Sequence, residues 1–173
     1  MLSNFKRNKY QQHLAQLPKL SQSVADFTTL YSPADFRKTL LEKIATATRR
    51  ICIVALYLEN DEGGQAILSA LYAAKRLRPT LDICVLVDWH RAQRGRIGAA
   101  ASATNADWYC EMASQNEDIA IPVYGIPVNT REALGVLHLT GSIIDDTVLY
   151  TGASFNDVSL HQRARYRYDR YQP

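Results

Sequence analysis

The sequence has no apolar run long enough to span a membrane. A transmembrane helix needs about 20 consecutive apolar residues. All apolar runs in this sequence of 173 residues are far shorter than that. Lys6, Arg7 and Lys9 are followed by no apolar stretch of the kind that a secretory signal carries. Any contact with a membrane is therefore expected at the membrane surface.

Cysteine is scarce as well, with three residues in the chain. Cys52, Cys84 and Cys110 have none of the close spacings found in zinc sites, and an odd number does not form a disulfide framework. Cys52 and Cys84 lie in apolar runs, which is typical of buried thiols. The cysteine content predicts a cytoplasmic protein without a metal site.

An excess of charge of one sign is also lacking. The 20 Lys and Arg residues exceed the 17 Asp and Glu residues by three, which gives a net charge of +3. This mild basic balance does not separate nucleic acid from anionic lipid as a partner. With 47% hydrophobic residues, the composition predicts one globular domain rather than a disordered chain.

The order of the apolar runs predicts an α/β fold. Ser32 and Pro33 are typical of a helix start. Continuous apolar runs at 51–57 and 81–87 are typical of strands buried in a parallel sheet. A helical pattern between them, at 65–76, completes a strand–helix–strand unit with a right-handed crossover.

Later segments complete this prediction. A short helix is expected at 107–115. A strand is expected at 119–124, and Pro122, which has no N–H to donate, indicates a sheet edge or the start of a strand. Residues 1–31 are predicted to form an irregular basic N-terminal segment, and residues 32–173 the folded domain.

The feature with the most chemical content runs from His138 to Asp145. Its residues, His-Leu-Thr-Gly-Ser-Ile-Ile-Asp, match the phosphodiester-cleaving pattern His-x-Lys-x-x-x-x-Asp except at one position, where Thr140 replaces lysine. Ser154 and Asn156 follow a glycine downstream, as the pattern requires. By spacing alone, a strand histidine followed by an acidic turn explains these residues equally well.

Each residue type in the pattern has a chemical reason. A histidine nitrogen can attack phosphorus and form a covalent phosphohistidine, and a second histidine can protonate the leaving group. A lysine stabilises negative charge on the phosphate oxygens, and an acidic residue can hold the imidazole in the useful tautomer. With Thr140 the phosphate loses a cation, at a cost on the order of 10²–10³ in rate.

The flanking sequence is more specific than the pattern itself. It includes Leu86-Val-Asp-Trp-His-Arg-Ala-Gln-Arg-Gly-Arg96, Thr104-Asn-Ala-Asp-Trp-Tyr-Cys110, Asn129-Thr-Arg-Glu-Ala-Leu-Gly-Val-Leu-His138 and Tyr150-Thr-Gly-Ala-Ser154. Together with the pattern, these segments closely resemble the bacterial phospholipase-D-type phosphatidylserine synthases, which are CDP-diacylglycerol–serine O-phosphatidyltransferases. The resemblance covers nearly the whole chain.

The resemblance implies a reaction, a fold and residue roles. Family members transfer the phosphatidyl group of CDP-diacylglycerol to serine through a phosphohistidine, release CMP and need no metal or organic cofactor. Their fold is a phospholipase-D-like sandwich, a mixed, mostly parallel sheet flanked by helices, with two halves related by a pseudo-twofold. By position, His138 is the nucleophile or the general acid, and Asp145 orients it. Ser154 and Asn156 contact the phosphate, and Thr140 occupies the lysine position.

A second candidate region follows the strand predicted at 81–87. Ligands of open α/β sheets bind at the carboxyl ends of strands, and His90, Arg91 and Arg94 lie there. The arginines are candidates for contacts with a diphosphate or with lipid headgroups. A solvated basic loop is the alternative interpretation for any single arginine.

The resemblance also implies partners and a location. The partners are CDP-diacylglycerol, serine, an anionic membrane surface and the ribosome, and the location is the inner face of the cell membrane. Family members carry two motifs in one chain, whereas this sequence carries one. We therefore expect the N-terminal half of such an enzyme, without its C-terminal half and with impaired activity.

Two alternatives stay open at this point. The first is a single-motif phosphodiesterase or nuclease, in which a homodimer brings two copies of His138 into one active site. The second is a non-catalytic half-domain that binds lipid or a partner chain without chemistry. The oligomeric state tests the first alternative, because a strict monomer excludes it. Binding to anionic liposomes tests the second.

Overall fold

The computed structural model describes residues 15–18, 21–94, 104–128, 137, 139–162 and 171–172. Its helices are a short 3-10 helix at Val24–Asp26, α1 at Pro33–Thr46, α2 at Glu62–Leu77, α3 at Trp89–Ala92 and α4 at Asn105–Ser114. Its strands are β1 at Arg50–Ala55, β2 at Asp82–Asp88, β3 at Val123–Ile126, β4 at Gly141–Ile144, β5 at Thr147–Thr151 and β6 at Tyr171–Gln172.

The strands form one mixed sheet in the order β3-β2-β1-β4-β5-β6. Pairing is parallel between β1 and β2 and between β2 and β3, and antiparallel from β1 through β4 and β5 to β6. The register places Ile53 of β1 beside Val85 of β2 and Ser142 of β4. The parallel pair of β1 and β2 needs a crossover connection, and α2 supplies it.

Polar residues set the starts of the two longest helices. The Ser32 hydroxyl accepts a hydrogen bond from the N–H of Asp35 at 3.0 Å, and Pro33 occupies the first turn of α1. Asp61 caps α2 by accepting from the N–H of Gly64 at 2.9 Å. Both helices then bury apolar side chains at helical spacing in one core with the sheet. These side chains include Phe36, Leu40, Ile44, Ile67, Leu68 and Leu71.

The two faces of the sheet differ in burial. Toward the helices, the alternating side chains Ile51, Ile53 and Ala55 of β1 are buried in the core. On the other face, the part of the chain that is described leaves apolar side chains half-buried or exposed. They include Cys52, Val54, Cys84, Leu86, Tyr124, Ile143, Val148 and Tyr150. An apolar hollow of about 170 Å³ lies on this face between β1, β4 and β5.

The predicted elements are confirmed, with shifts at their ends. The two apolar runs are β1 and β2, and the helical pattern between them is α2, which begins earlier than predicted because Asp61 caps it. The later helix is α4, and the predicted edge strand is β3, which starts just after Pro122. The division into residues 1–31 and 32–173 stays a prediction.

Phe155 tests how far the core depends on the segment after β5. Its side chain is fully buried, and its ring stacks on that of Phe36 with centroids 6.4 Å apart. Phe155→Ala is expected to lower the free energy of unfolding by about 3–5 kcal/mol, because the cavity cannot be refilled completely. Urea denaturation measures this. Val158→Ala, at a nearby exposed position, is the control, and its free energy of unfolding should stay within about 0.5 kcal/mol of the unsubstituted value. Equal losses in the two variants would contradict the placement of Phe155 in the core.

Candidate active site

The predicted site residues that are described lie mainly along one border of the sheet. Because β4 runs antiparallel to β1 and β5, its amino end meets the carboxyl ends of both strands. Thr140 precedes β4, residues 152–156 follow β5, and α3 follows β2 directly. We call this border the carboxyl edge. His138 lies outside the described residues, although its neighbours Leu137 and Leu139 are described.

Asp88, the last residue of β2, connects two segments at the carboxyl edge. Its side chain is buried, and Oδ1 accepts a hydrogen bond from the N–H of Arg91 at 2.9 Å, which caps α3. Its Oδ2 accepts from the N–H of Leu137, also at 2.9 Å. Both oxygens are therefore satisfied, which a buried carboxylate requires because an unsatisfied one is costly.

The residues predicted to contact a diphosphate or headgroup lie on α3 and just after it. His90 is half-buried, and its ring meets Trp89 edge to face with centroids 5.0 Å apart. A side chain at Gly125 of β3 would collide with the Trp89 ring, so the two pack closely. Arg91 is half-buried and Arg94 is exposed. Their location at the carboxyl edge agrees with the prediction, whereas their ligand stays a prediction.

Thr140, at the family lysine position, makes a structural contact. Its side chain is 9% exposed, and its hydroxyl donates a hydrogen bond to the carbonyl of Thr151, the last residue of β5. This bond extends the contact between β4 and β5 by one residue beyond their ladder. The hydroxyl brings no positive charge, so the cation that the family pattern expects is lacking at this position.

The segment 152–156 is fixed by the chain that follows β1. Phe155 forms a bridge with Leu58, and its carbonyl accepts from the N–H of Glu59 at 3.0 Å. The Tyr109 hydroxyl accepts from the N–H of Leu58 at 2.9 Å and donates to its carbonyl at 2.6 Å. Burial raises the pKa of Tyr109, so the phenol stays protonated and keeps both bonds.

A reciprocal pair of carboxylates, which we call the aspartate clamp (Asp61 and Asp157), ties this segment to the start of α2. Asp61 Oδ2 accepts from the N–H of Asp157, and Asp157 Oδ1 accepts from the N–H of Gly63, both at 2.7 Å. A helix start suits both side chains, because its free N–H groups and its dipole favour negative charge. The approach requires glycine, since a Cβ at Gly63 would lie 2.9 Å from the backbone carbon of Asn156.

The two predicted phosphate contacts lie in the segment that the clamp holds. Asn156 Oδ1 accepts from the N–H of Ser159 at 2.8 Å, and the Asn156 N–H donates to the carbonyl of Ser154 at 3.2 Å. Ser154 and Asn156 are both half-buried. Because Asn156 uses its side-chain oxygen within the chain, its amide NH₂ is the group suited to a phosphate oxygen. The phosphate contacts themselves stay predictions.

Asp145 lies at the opposite border of the sheet. The strand β4 separates Asp145 from Thr140. At about 3.3 Å per residue, the five steps from Thr140 to Asp145 place the backbones of these two residues roughly 16 Å apart. The Asp145 N–H donates to the carbonyl of Arg50, the first residue of β1, at 2.9 Å. The predicted role of Asp145 toward His138 stays a prediction, because His138 lies outside the described residues.

The Asp145 carboxylate instead holds the chain at the entry to β1. Oδ2 accepts from the N–H and the hydroxyl of Thr48 at 2.8 and 3.1 Å, and Oδ1 accepts from the N–H groups of Arg49 and Arg50 at 2.8 and 3.1 Å. These donors favour the charged form and hold the pKa of Asp145 well below its usual range. With φ at 50°, Asp145 is in the left-handed region, which aspartate tolerates better than most residues. These contacts are structural.

Sequence reasoning did not predict the contacts of the buried aspartates Asp61, Asp88 and Asp157. A signal existed for the first two, because each stands just before a helix start, where aspartate is a preferred N-cap. Asp157 had no local signal, since its partner Gly63 lies 94 positions away in the chain.

Among the described residues, no group of three or more His, Cys, Asp or Glu is arranged to hold a metal ion. No helix in the same ranges has both the length and the apolar content needed to cross a membrane.

The sequence is closely similar to a bacterial enzyme. It is 74% identical over 171 residues to the CDP-diacylglycerol--serine O-phosphatidyltransferase PssA of Escherichia coli (strain K12). This alignment covers 99% of the chain and 38% of the relative, so the chain spans about two fifths of the relative's length. No protein-family model matches the chain.

Two solved structures are similar to the chain in fold. The crystal structure of phosphatidylserine synthase from Haemophilus influenzae Rd KW20 is 48% identical with a TM-score of 0.86, over 96% of this chain and 37% of that one. Nuc from Salmonella typhimurium, a phospholipase D family member, is 21% identical with a TM-score of 0.53, over 84% of this chain and 79% of that one. The second likeness shows the fold alone. The predicted resemblance and the predicted phospholipase-D-like α/β fold are confirmed.

The clamp predicts an unusual cost for Gly63→Ala. The new Cβ would meet the backbone of Asn156, which cannot rotate away as a side chain would. We expect a loss of about 1–3 kcal/mol in the free energy of unfolding, measured by urea denaturation, together with changed amide NMR shifts at Asn156 and Asp157. Ser69→Ala, at an exposed position of α2, is the control. A more stable Gly63→Ala variant, as helix propensity alone predicts, would refute the clamp.

Asp145 predicts a pH-dependent contribution to stability. Its folded-state pKa is lowered, so its contribution is fully present above the unfolded value of about 4 and is lost as the pH falls through the folded value. Asp145→Asn should therefore be less stable than the unsubstituted chain at neutral pH, and the difference should shrink as the pH falls below about 4. Urea denaturation across this range measures the difference. Asp82→Asn, at the exposed amino end of β2, is the control, and a difference that is independent of pH would contradict the contact.

Proposed function

We propose that this chain is a motif-bearing half of a bacterial phosphatidylserine synthase of the phospholipase D superfamily. The observation that carries the proposal is the 74% identity to CDP-diacylglycerol--serine O-phosphatidyltransferase PssA over 99% of the chain. The substrates are then CDP-diacylglycerol and L-serine, and the products are phosphatidylserine and CMP. The carboxyl edge supports chemistry at phosphorus, because the segment with Ser154 and Asn156, the basic α3 and the neighbours of His138 all lie there.

The transfer takes two displacements at one phosphorus. A ring nitrogen of His138 attacks the phosphorus that carries diacylglycerol, and the P–O bond to CMP breaks with its electron pair leaving on CMP. The serine hydroxyl then attacks the same phosphorus, the N–P bond breaks and the hydroxyl proton passes to a base. Two easier steps thus replace one difficult step.

The two steps place different demands on a second histidine. CMP leaves as a phosphate monoester with a second pKa of about 6, so it is a stable anion at neutral pH and needs little protonation. The serine hydroxyl is a weak nucleophile until a base activates it. We therefore assign the first displacement to this chain and the second to a base from another copy of the motif.

Thr140 slows the proposed reaction without changing its course. Ser154 and Asn156 can donate hydrogen bonds to the phosphate, and Arg91 and Arg94 bring positive charge to the same edge. None of these occupies the lysine position beside His138. The missing cation should cost on the order of 10²–10³ in rate, so the chain has impaired activity.

The proposed substrate places the reaction at a lipid surface. CDP-diacylglycerol is held in a membrane by its acyl chains, and the chain's net charge of +3 favours an anionic surface. We place the protein in the cytoplasm, peripheral at the inner face of the cell membrane. Co-sedimentation with anionic liposomes tests this placement. Contact with the ribosome stays a prediction, and the basic residues Lys6, Arg7 and Lys9 lie outside the described part of the chain.

Serine-dependent CMP release from CDP-diacylglycerol in mixed micelles tests the proposed reaction. We expect Thr140→Lys to release CMP faster than the unsubstituted chain by on the order of 10²–10³. Thr140→Gln, which extends the side chain without adding charge, is the matched control and should give no such gain. His138→Ala should release none. Without serine, or without a second copy of the motif to activate serine, release should stop at about one CMP per chain, as a covalent histidine intermediate requires.

The remaining outcomes separate the alternatives. CMP release by His138→Ala at the rate of the unsubstituted chain would exclude His138 as the nucleophile. If no variant releases CMP even in a single turnover, the first displacement does not belong to this chain alone. A rate per chain that rises with chain concentration, together with a dimer in sedimentation, would favour the homodimeric single-motif enzyme.

A further inference from the structure

The buried carboxylate of Asp88 carries an inference that rests on the proposed role of His138. Asp88 is 0% exposed at the carboxyl end of β2. One oxygen accepts from the N–H of Arg91, three residues on, and the other from the N–H of Leu137, 49 residues on. Leu137 immediately precedes His138 in the sequence.

We propose that Asp88 is a positioning residue for His138, acting through the peptide group of Leu137. A hydrogen bond to a carboxylate is roughly twice as strong as one between neutral groups, and burial strengthens it further. Consecutive Cα atoms are about 3.8 Å apart, so a fixed peptide at Leu137 limits where the next side chain can reach. Precision matters, because a misplacement of about 1 Å can cost about 10²-fold in rate.

A second anchor makes the bond to Leu137 more effective. Thr140, two residues after His138, donates to the carbonyl of Thr151 at the end of β5. Asp88 therefore ties the chain before His138 to β2, and Thr140 ties the chain after it to β5. In the sheet, β1 and β4 lie between these two strands. The anchors hold the segment at two separated points of one edge.

Capping of α3 alone does not account for Asp88. An N-cap needs one acceptor oxygen, which serine or asparagine supplies as well as aspartate. The bond to Leu137 uses a second acceptor that serine lacks and that asparagine replaces with an NH₂ donor. The two functions of Asp88 can therefore be separated by substitution.

The test compares Asp88→Ser and Asp88→Asn with the unsubstituted chain. Asp88→Ser keeps the cap of α3 and removes the acceptor for the Leu137 N–H. Asp88→Asn keeps the cap and places an amide NH₂, which is a donor, opposite the Leu137 N–H. Asp82→Asn, at the exposed amino end of the same strand, is the matched control. Amide exchange at Leu137 and Arg91 and the imidazole ¹⁵N shifts of His138 are measured by NMR, with His138→Ala for assignment.

Exchange at Leu137 should rise by roughly tenfold or more in both Asp88 variants, and the His138 imidazole shifts should change. Asp82→Asn should change neither, and Arg91 exchange should stay unchanged in Asp88→Ser. Single-turnover CMP release at saturating substrate should fall while the half-saturating concentration stays the same. The NMR measurements need no substrate, so their failure is distinct from failure of the proposed reaction.

Unchanged His138 shifts in both Asp88 variants would overturn the proposal and leave Asp88 as a cap of α3. Leu137→Pro keeps the test decisive if an Asp88 variant does not fold, because it removes the donor and leaves Asp88 and the cap in place. The same change at His138 is expected in this variant. Unchanged shifts there would equally overturn the proposal.

Discussion

Strand ends at the carboxyl edge impose the constraint on which the candidate site depends. Where a strand ends inside a protein, its peptide groups lose their ladder partners, and each needs another. In the described chain, buried aspartates meet much of this need. Asp88 accepts from two peptides, and the clamp of Asp61 and Asp157 joins the start of α2 to the segment after β5. Residues from distant parts of the sequence are thereby held side by side.

The spacing of the motif follows from the length of one strand. Thr140 precedes β4 and Asp145 follows it, so the interval between the lysine position and the aspartate is the strand itself. At the far border, the Asp145 carboxylate bonds the backbone that enters β1, which fixes the neighbour of β4. Asp145 therefore helps to set the position of β4, whose amino end lies at the carboxyl edge.

Local patterns were sufficient to predict the elements but not the contacts between them. Continuous apolar runs predicted β1 and β2, and the cap at Ser32 predicted α1, because these signals lie within a few residues of what they specify. The contacts of Asp145 with the entry to β1 were not predicted, since Thr48, Arg49 and Arg50 lie more than 90 positions earlier in the chain. Asp157 and Gly63 lie too far apart in sequence for any local pattern to pair them.

Thr140 shows why similarity of sequence and competence of the site are separate questions. The hydroxyl of Thr140, at this buried position, donates a hydrogen bond to the carbonyl of Thr151. The carbonyl at the end of β5 therefore has a hydrogen-bond partner. A lysine there would have to run its stem along the edge and place its ammonium in the open. Its value would lie in the reaction rather than in the fold. The fold therefore tolerates threonine, and the 74% identity to PssA is compatible with an uncharged residue at the family lysine position.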